Sequence, residues 1–385
     1  MKSTRPDSTL AIVGVGETEF RRRHERGLDA LVVEASRKAI ADSGLPPTAI
    51  DGIVLPLYQP PADEIAVGCG ISARRYTAIN AYIPGAGPVA ALIEARNAIL
   101  AGLATAVLVP YGSKSGGVGG PYAYHAQDPL KADLEMPVGY YGQPLYFAAL
   151  AQRYQHEYGL EPEQSGSLAV AQREWAARTP NSQRSERITM ADYLQAPFVA
   201  GLLRNLDCCL ITDGAAAYVV TTLERARDLR APPAVVAGLA AGSNPWTLSE
   251  MFTQSPRFLD LGPGDAGRRA FAEAGMSHAD IRFAQIYDCF SLSVILQLES
   301  LGFCQRGEGA AFVANGRTAP GGSFPVNTDG GHLCHAYIPG MTHVLEGVRQ
   351  IRGERGAAQV AGAQIGVVST FAGPDHATLI LAADR

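Results

Sequence analysis

Four short stretches place reactive or polar residues where apolar runs stop. The longest reads Val326-Asn327-Thr328-Asp329-Gly330-Gly331-His332-Leu333-Cys334-His335-Ala336-Tyr337-Ile338-Pro339-Gly340 and is followed at once by a helical run, Met341 to Arg352. Its glycines let backbone approach a ligand closely, and the helix that follows presents its positive end to developing negative charge. The other three are the Asn80 to Gly87 turn, Tyr287-Asp288-Cys289-Phe290, and Ser369-Thr370-Phe371-Ala372-Gly373. The first two run into helices and the last has a glycine but no helix. In α/β sheets functional groups collect beyond the carboxyl ends of strands, so the four stretches are expected to wall one site.

The elements that must hold these stretches alternate. Leu10 to Val15 is a continuous apolar run, and Leu28 to Ser43 has apolar residues at helical spacing. The Gly14-Val15-Gly16 pair suggests dinucleotide binding, but no third glycine follows in place and Glu17 and Glu19 would repel a pyrophosphate. Ile50 to Leu57, Thr77 to Ile83 and Thr105 to Pro110 read as buried strands, with a helix from about Val89 to Leu100. From about Gly112 to Leu203 the regularity stops, with helices near Leu145 to Tyr158 and Ser165 to Arg178, as in a long insertion that covers one end of a sheet. Gly214 to Thr222 closes a first half, and Ala231-Pro232-Pro233 marks a boundary. The second half repeats the theme: strands at Ala234 to Leu239, Phe283 to Ile286, Ile365 to Ser369 and Ala377 to Ala382, and helices at Ala266 to Ala274 and Ser293 to Leu301. The pattern predicts two similar α/β halves, 1–230 with a loop domain at about 112–203, and 231–385.

Composition narrows the class. With 385 residues, 47% of them hydrophobic, the chain can bury a large core. A net charge of −5 and no basic run longer than Arg21-Arg22-Arg23 argue against nucleic-acid binding. The six cysteines lack metal spacing and sit in apolar contexts, as expected of reduced thiols in a cytoplasmic protein. Met1 to Leu10 is too polar for a signal peptide and no apolar run is long enough to span a membrane, so a soluble protein is expected.

The order and context of the four turns resemble the thiolase superfamily, above all its sterol-carrier-type branch. Tyr287-Asp288-Cys289-Phe290, with the later Leu301-Gly302-Phe303-Cys304, is similar to that branch's His-Asp-Cys-Phe segment. Gly330-Gly331 through Gly340 is similar to its Gly-Gly, Gly-His-Pro, Gly series. Ile12 to Thr18 and Thr212-Asp213-Gly214-Ala215-Ala216 extend the likeness over nearly the whole chain. The resemblance implies a thiolase fold: two pseudo-duplicated α/β halves packed as a layered α-β-α-β-α core with an inserted loop domain.

The departures from the family decide the chemistry. The nucleophilic cysteine of thiolases falls in the Asn80 to Gly87 turn, where Pro84 or a direct neighbour takes its place. The catalytic histidine falls on Tyr337, and the second cysteine falls on or beside Ser369 and Thr370. Acyl-enzyme formation needs a thiolate and a base, so thiolysis is not expected. Cys289 and Cys334 lie within motifs but read as buried packing residues. The remaining pattern resembles the lipid-transfer-protein aldolases of steroid side-chain degradation, which implies retro-aldol cleavage of a bulky β-hydroxyacyl-CoA to a ketone or aldehyde and a short acyl-CoA such as propionyl-CoA or acetyl-CoA. Tyr287 and Tyr337 are the expected catalytic pair, one as base toward the β-hydroxyl and the other as donor to the enolate. Two ordinary buried tyrosines are the competing reading.

Asp288, His335 and His376 are expected to support the pair. Asp288 would cap the helix that begins near Ser291 or orient Tyr287, while His332 and His335 read as loop-surface residues. Pro84, Gly331 and Gly373 are expected to line the substrate. No cofactor or metal is expected in this chain, since CoA belongs to the substrate. The resemblance also implies a homodimer and a small OB-fold, zinc-binding, acyl-CoA-associated partner subunit. Two other functions suit the same fold: a cysteine-independent condensing enzyme and a non-catalytic acyl-CoA or lipid carrier.

Overall fold

Continuous apolar runs become strands buried on both faces, and runs with helical spacing become the helices that cover them. The computed structural model describes residues 9–56, 60–80, 85–115, 126, 128–246 and 248–384. Its strands are β1 (Leu10–Glu17), β2 (Gly52–Leu55), β3 (Tyr76–Ile79), β4 (Ala106–Lys114), a small hairpin of β5 (Phe198–Ala200) and β6 (Leu203–Arg204), then β7 (Asp213–Thr222), β8 (Ala234–Ser243), β9 (Phe283–Ile286), β10 (Ile365–Ala372) and β11 (Asp375–Ala383). The main helices are α1 (Leu28–Ser43), α2 (Ala62–Cys69), α3 (Gly87–Leu100), α4 (Gln143–Tyr158), α5 (Pro162–Ala176), α6 (Met190–Gln195), α7 (Pro263–Ala274), α8 (Ser291–Leu301), α9 (Gly331–Cys334) and α10 (Met341–Arg352).

All strands but the hairpin form one nine-stranded mixed sheet in the order β3-β2-β4-β7-β1-β8-β11-β10-β9. Outward from the short antiparallel contact of β1 with β8, the two sides match. Each central strand is followed by an antiparallel neighbour, β7 or β11, then by antiparallel β4 or β10, then by parallel β2 or β9. Where β3 lies parallel to β2, Val326 makes a parallel bridge to Ala284 of β9. The duplication expected from alternating elements is thus written in strand order and direction.

The layers follow from which helices touch which strands. α1 covers β1, β4 and β7, and α7 covers β8, β10 and β11. Between the two halves, α3 and α10 touch each other, and each packs on strands of both sides, so they form the middle layer. Close approach on the outer layers needs glycine at matching places. A side chain on Gly14 of β1 would stand 2.1 Å from the Ala39 carbonyl oxygen of α1, and one on Gly238 of β8 would stand 2.1 Å from that of Ala270 on α7. The Gly14-Val15-Gly16 pair therefore serves helix packing and not a nucleotide.

The strand expected to end at Pro110 runs on to Lys114, because Gly112, Ser113 and Lys114 pair with Ala215, Gly214 and Asp213. α4, α5 and α6 lie in the segment that follows, and α5 packs against α9 and the short helix Gly309–Val313. Among the described residues no helix is long and apolar enough to cross a membrane.

Candidate active site

β9 stops at Ile286, and the next residue, Tyr287, still donates its backbone N–H to Ser369 of β10 at 2.9 Å. Its carbonyl accepts from Ser293 Oγ at 3.0 Å and from Gln297 Nε2 at 2.7 Å, both on α8. The phenol is therefore fixed at both ends of its own backbone. Tyr337 enters from the connection between α9 and α10, and its N–H is held by Thr212 Oγ1 at 2.8 Å. The two hydroxyl oxygens are 2.9 Å apart. No other protein partner of either hydroxyl is found among the described residues. Tyr287 is 4% exposed, while Tyr337 keeps part of its surface open.

The four turns converge here. Phe371 of β10 meets the Tyr287 ring edge-on at 5.4 Å. A side chain on Gly85 would stand 2.3 Å from the Phe371 carbonyl oxygen and 3.1 Å from Cζ of Tyr287, and one on Gly340 would stand 2.4 Å from the Gly85 carbonyl oxygen. Pro84, expected to line the substrate, lies outside the described residues. Gly340 caps the start of α10, so the positive end of a twelve-residue helix opens toward the turns.

Behind the phenols lies a buried polar cluster that the sequence did not reveal as such. Asp288 does not cap α8 and does not touch Tyr287. Its carboxylate turns to α9, where it accepts from the N–H groups of His332 at 2.8 Å and Leu333 at 3.3 Å, and also from Gln172 Nε2 at 2.8 Å. The reason is geometric: Gly331, with φ of 59°, leaves room for that carboxylate, and a side chain there would stand 2.2 Å from Asp288 Oδ2. Gly331 thus faces Asp288, and its place is to admit the cap. The carboxylate also reaches His343 Nε2 at 3.1 Å. Burial works against charge on His343, but the hydrogen bond and charge of Asp288, with Asp329, hold its pKa above the ordinary value. Burial, then the charge of His343, pushes His332 well below its ordinary value, so His332 is neutral. The His332 ring stands edge-on to both phenols, 4.8 Å from Tyr287 and 5.0 Å from Tyr337. A histidine at the second position of α9 and another at the third position of α10 were the available signal for this cluster, but only folding brings them to Asp288.

His332 and His335 are buried, contrary to the loop-surface reading, because α9 lies beneath α5 and the 208–212 connection that leads into β7. His335 does not join the phenols. It packs edge-on to Phe20 at 5.3 Å and lies between Ser182 Oγ at 3.0 Å, Asp329 at 3.8 Å and Glu17 at 4.0 Å. His376 pairs across the hairpin with Phe371 but lines a separate cavity of about 590 Å³ with Arg257, Arg268 and Arg269. Gly373, with φ of 57°, lies in the tight turn between β10 and β11. Ser369 Oγ is bonded to Gln297 at 3.2 Å and Thr370 Oγ1 to Ala377 O at 3.4 Å, both fully buried.

The thiols are quiet. Burial pushes Cys334 and Cys208 up to about 12, and Cys289 higher still, so all three are protonated at neutral pH and none is a ready nucleophile. What the site offers is a pair of coupled phenols on a rigid buried frame, beside a helix N-terminus.

Residues 246–383 match a family described as Thiolase C-terminal domain-like. A 17-hydroxy-3-oxo-4-pregnene-20-carboxyl-CoA lyase of Mycobacterium tuberculosis is 35% identical over 96% of this chain and 98% of its own. The chain belongs to the thiolase superfamily. It falls in the sterol-carrier-protein-2 thiolase-like branch, beside the steroid side-chain-cleaving aldolases. One of these, from Thermomonospora curvata, is 35% identical over 97% of this chain and 98% of that protein. A solved structure of this superfamily, titled Ltp2-ChsH2(DUF35) aldolase, superposes with a TM-score of 0.89 at 34% identity, covering 98% of both chains. The fold expected from the four turns is therefore the fold of the superfamily, and the two relatives at 35% identity are a lyase and an aldolase.

Proposed function

We propose that this protein is a carbon-carbon lyase that cleaves a bulky β-hydroxyacyl-CoA, of the steroid side-chain type, by retro-aldol reaction to a ketone or aldehyde and propionyl-CoA or acetyl-CoA. The observation that carries the reading is the 2.9 Å hydrogen bond between the Tyr287 and Tyr337 hydroxyls, which leaves each oxygen free to meet substrate. Burial, first of all, pushes both phenols well above their ordinary pKa. A resting phenolate base is therefore disfavoured, and a relay is the chemistry that suits the pair. One phenol accepts the β-hydroxyl proton as the hydrogen-bonded pair passes a proton onward. The Cα–Cβ electron pair flows into the thioester as an enolate, the alcohol carbon becomes a carbonyl, and the relayed proton ends on Cα. One proton enters the pair and one leaves, so neither phenol ends charged, and no covalent intermediate or thiolate is needed.

Either hydroxyl can be the donor in the resting pair. The phenol that takes the β-hydroxyl proton hands its own proton to the other, which passes one on to Cα. Tyr337 is the more open of the two, and we assign it to the β-hydroxyl.

The active assembly in this reading is a homodimer with a small OB-fold, zinc-binding partner subunit, and the reading is supported by the DUF35 component named in the solved relative's title. This chain itself needs no cofactor beyond the CoA of its substrate. The test is substitution of each tyrosine by phenylalanine, which keeps packing and removes one hydroxyl. Turnover should fall at least a hundredfold for each while acyl-CoA affinity stays within a few-fold. A carrier would show no turnover to lose, and unchanged turnover in either variant would remove the relay.

A further inference from the structure

We infer that the cavity behind the Tyr337 loop is a binding site apart from the phenols, one that takes a phosphate-bearing group. The cavity has a volume of about 460 Å³, and Arg21, Arg22, Arg173 and Arg184 line it with no carboxylate among the lining residues. That is unexpected in a chain of net charge −5. Arg21 pairs with Glu19 at 2.7 Å. Among the described residues Arg22, Arg173 and Arg184 have no carboxylate within ion-pair reach. Arg173 is 7% exposed and donates to neutral groups, the Glu186 carbonyl oxygen at 2.8 Å and the Cys334 thiol. A buried guanidinium without a counter-charge is costly unless an anion completes it.

The chemistry of the rim selects the class of anion. Guanidinium forks match carboxylate and phosphate geometry, and several of them around one cavity suit a group carrying more than one negative charge. Ile188, Leu206, Leu210 and Leu333 supply an apolar side for the body of such a ligand. The larger cavity beside His376 makes the contrast. It too is lined by four arginines, but Asp260 and Asp265 pair with three of them, Arg257, Arg268 and Arg269. Its charge is already met.

The site is wired to the phenols through backbone. Gln183 and Arg184 donate their N–H groups to the carbonyls of His335 and Cys334, and Leu210 donates to His332. Gln183 Nε2 shares Thr212 Oγ1 with the Tyr337 N–H. A phosphate drawn between Arg22 and Arg184 therefore bears on the loop that carries Tyr337.

Two sources supply such a group: the nucleotide end of a CoA thioester and a free phosphate. Titration calorimetry on the full chain with adenosine 3′,5′-bisphosphate and, separately, inorganic pyrophosphate separates them. The expected result is binding of the bisphosphate that weakens at least tenfold in an Arg22→Ala, Arg184→Ala double variant, both side chains being exposed. Preference for the bisphosphate assigns the nucleotide end, and equal binding of the two probes assigns free phosphate. Absence of binding by both probes, or equal binding to wild type and double variant, overturns the inference. The readout is binding and not cleavage, so it stands or falls apart from the aldolase reading.

Discussion

The hydroxyls of Tyr287 and Tyr337 are 2.9 Å apart, while the neighbouring thiols of Cys289 and Cys209 are held protonated by burial. Because burial raises both phenols well above their ordinary range, neither ionises near neutrality. Turnover is then expected to stay flat, within about twofold, from pH 7 to 9. A pH–rate profile of kcat checks this, and a tenfold rise per pH unit across that range would reveal a phenolate base in place of a relay.

Asp288 joins the cap of α9 to the buried His343. Asp288→Ala removes the carboxylate that holds the His343 pKa up and leaves two N–H groups without an acceptor. The expected cost is about 3 to 5 kcal/mol in unfolding free energy, read from denaturant midpoints. Loss of less than about 1 kcal/mol would show that His343 is neutral in the folded protein.

Acid should unfold the protein in two overlapping steps. Burial, then Arg355 and Arg349, press His335 down to about 4 against the pull of Glu17, so its folded pKa lies below the unfolded value. That contribution is present above about pH 6.5 and is lost as pH falls toward 4. Glu17, held at about 2 by Arg349 and His335 in spite of burial, adds a contribution lost between about pH 4.5 and 2. Melting temperatures between pH 7 and 4 are expected to fall, and His335→Gln to flatten that first step. An equal slope in the variant would move the acid sensitivity to another group.

Much of the frame was readable from residue pattern alone. α1 and α10 begin and end where helical spacing does, and β9 falls on the expected Phe283 to Ile286, three of whose four residues are apolar, because these elements bury one face or both and their sequences must say so. The convergence of the four turns followed from their place at strand ends. The cluster of Asp288, His332 and His343 was not readable, since it is assembled from three separate elements and depends on the room left by Gly331. His335 and His376 misled for a related reason: each is close in sequence to a turn of the site, but α9 and the β10–β11 hairpin aim them elsewhere. The arginine cavity likewise joins residues after β1, on α5 and after it.

The most direct test of retro-aldol cleavage is product release. The protein, with the proposed DUF35-type partner present, is incubated with a panel of β-hydroxyacyl-CoA esters that includes steroid side-chain derivatives, and short acyl-CoA is followed by chromatography. The account predicts stoichiometric appearance of propionyl-CoA or acetyl-CoA with a ketone or aldehyde, abolished by Tyr337→Phe. Esters that remain intact, or products formed equally well by that variant, would contradict it.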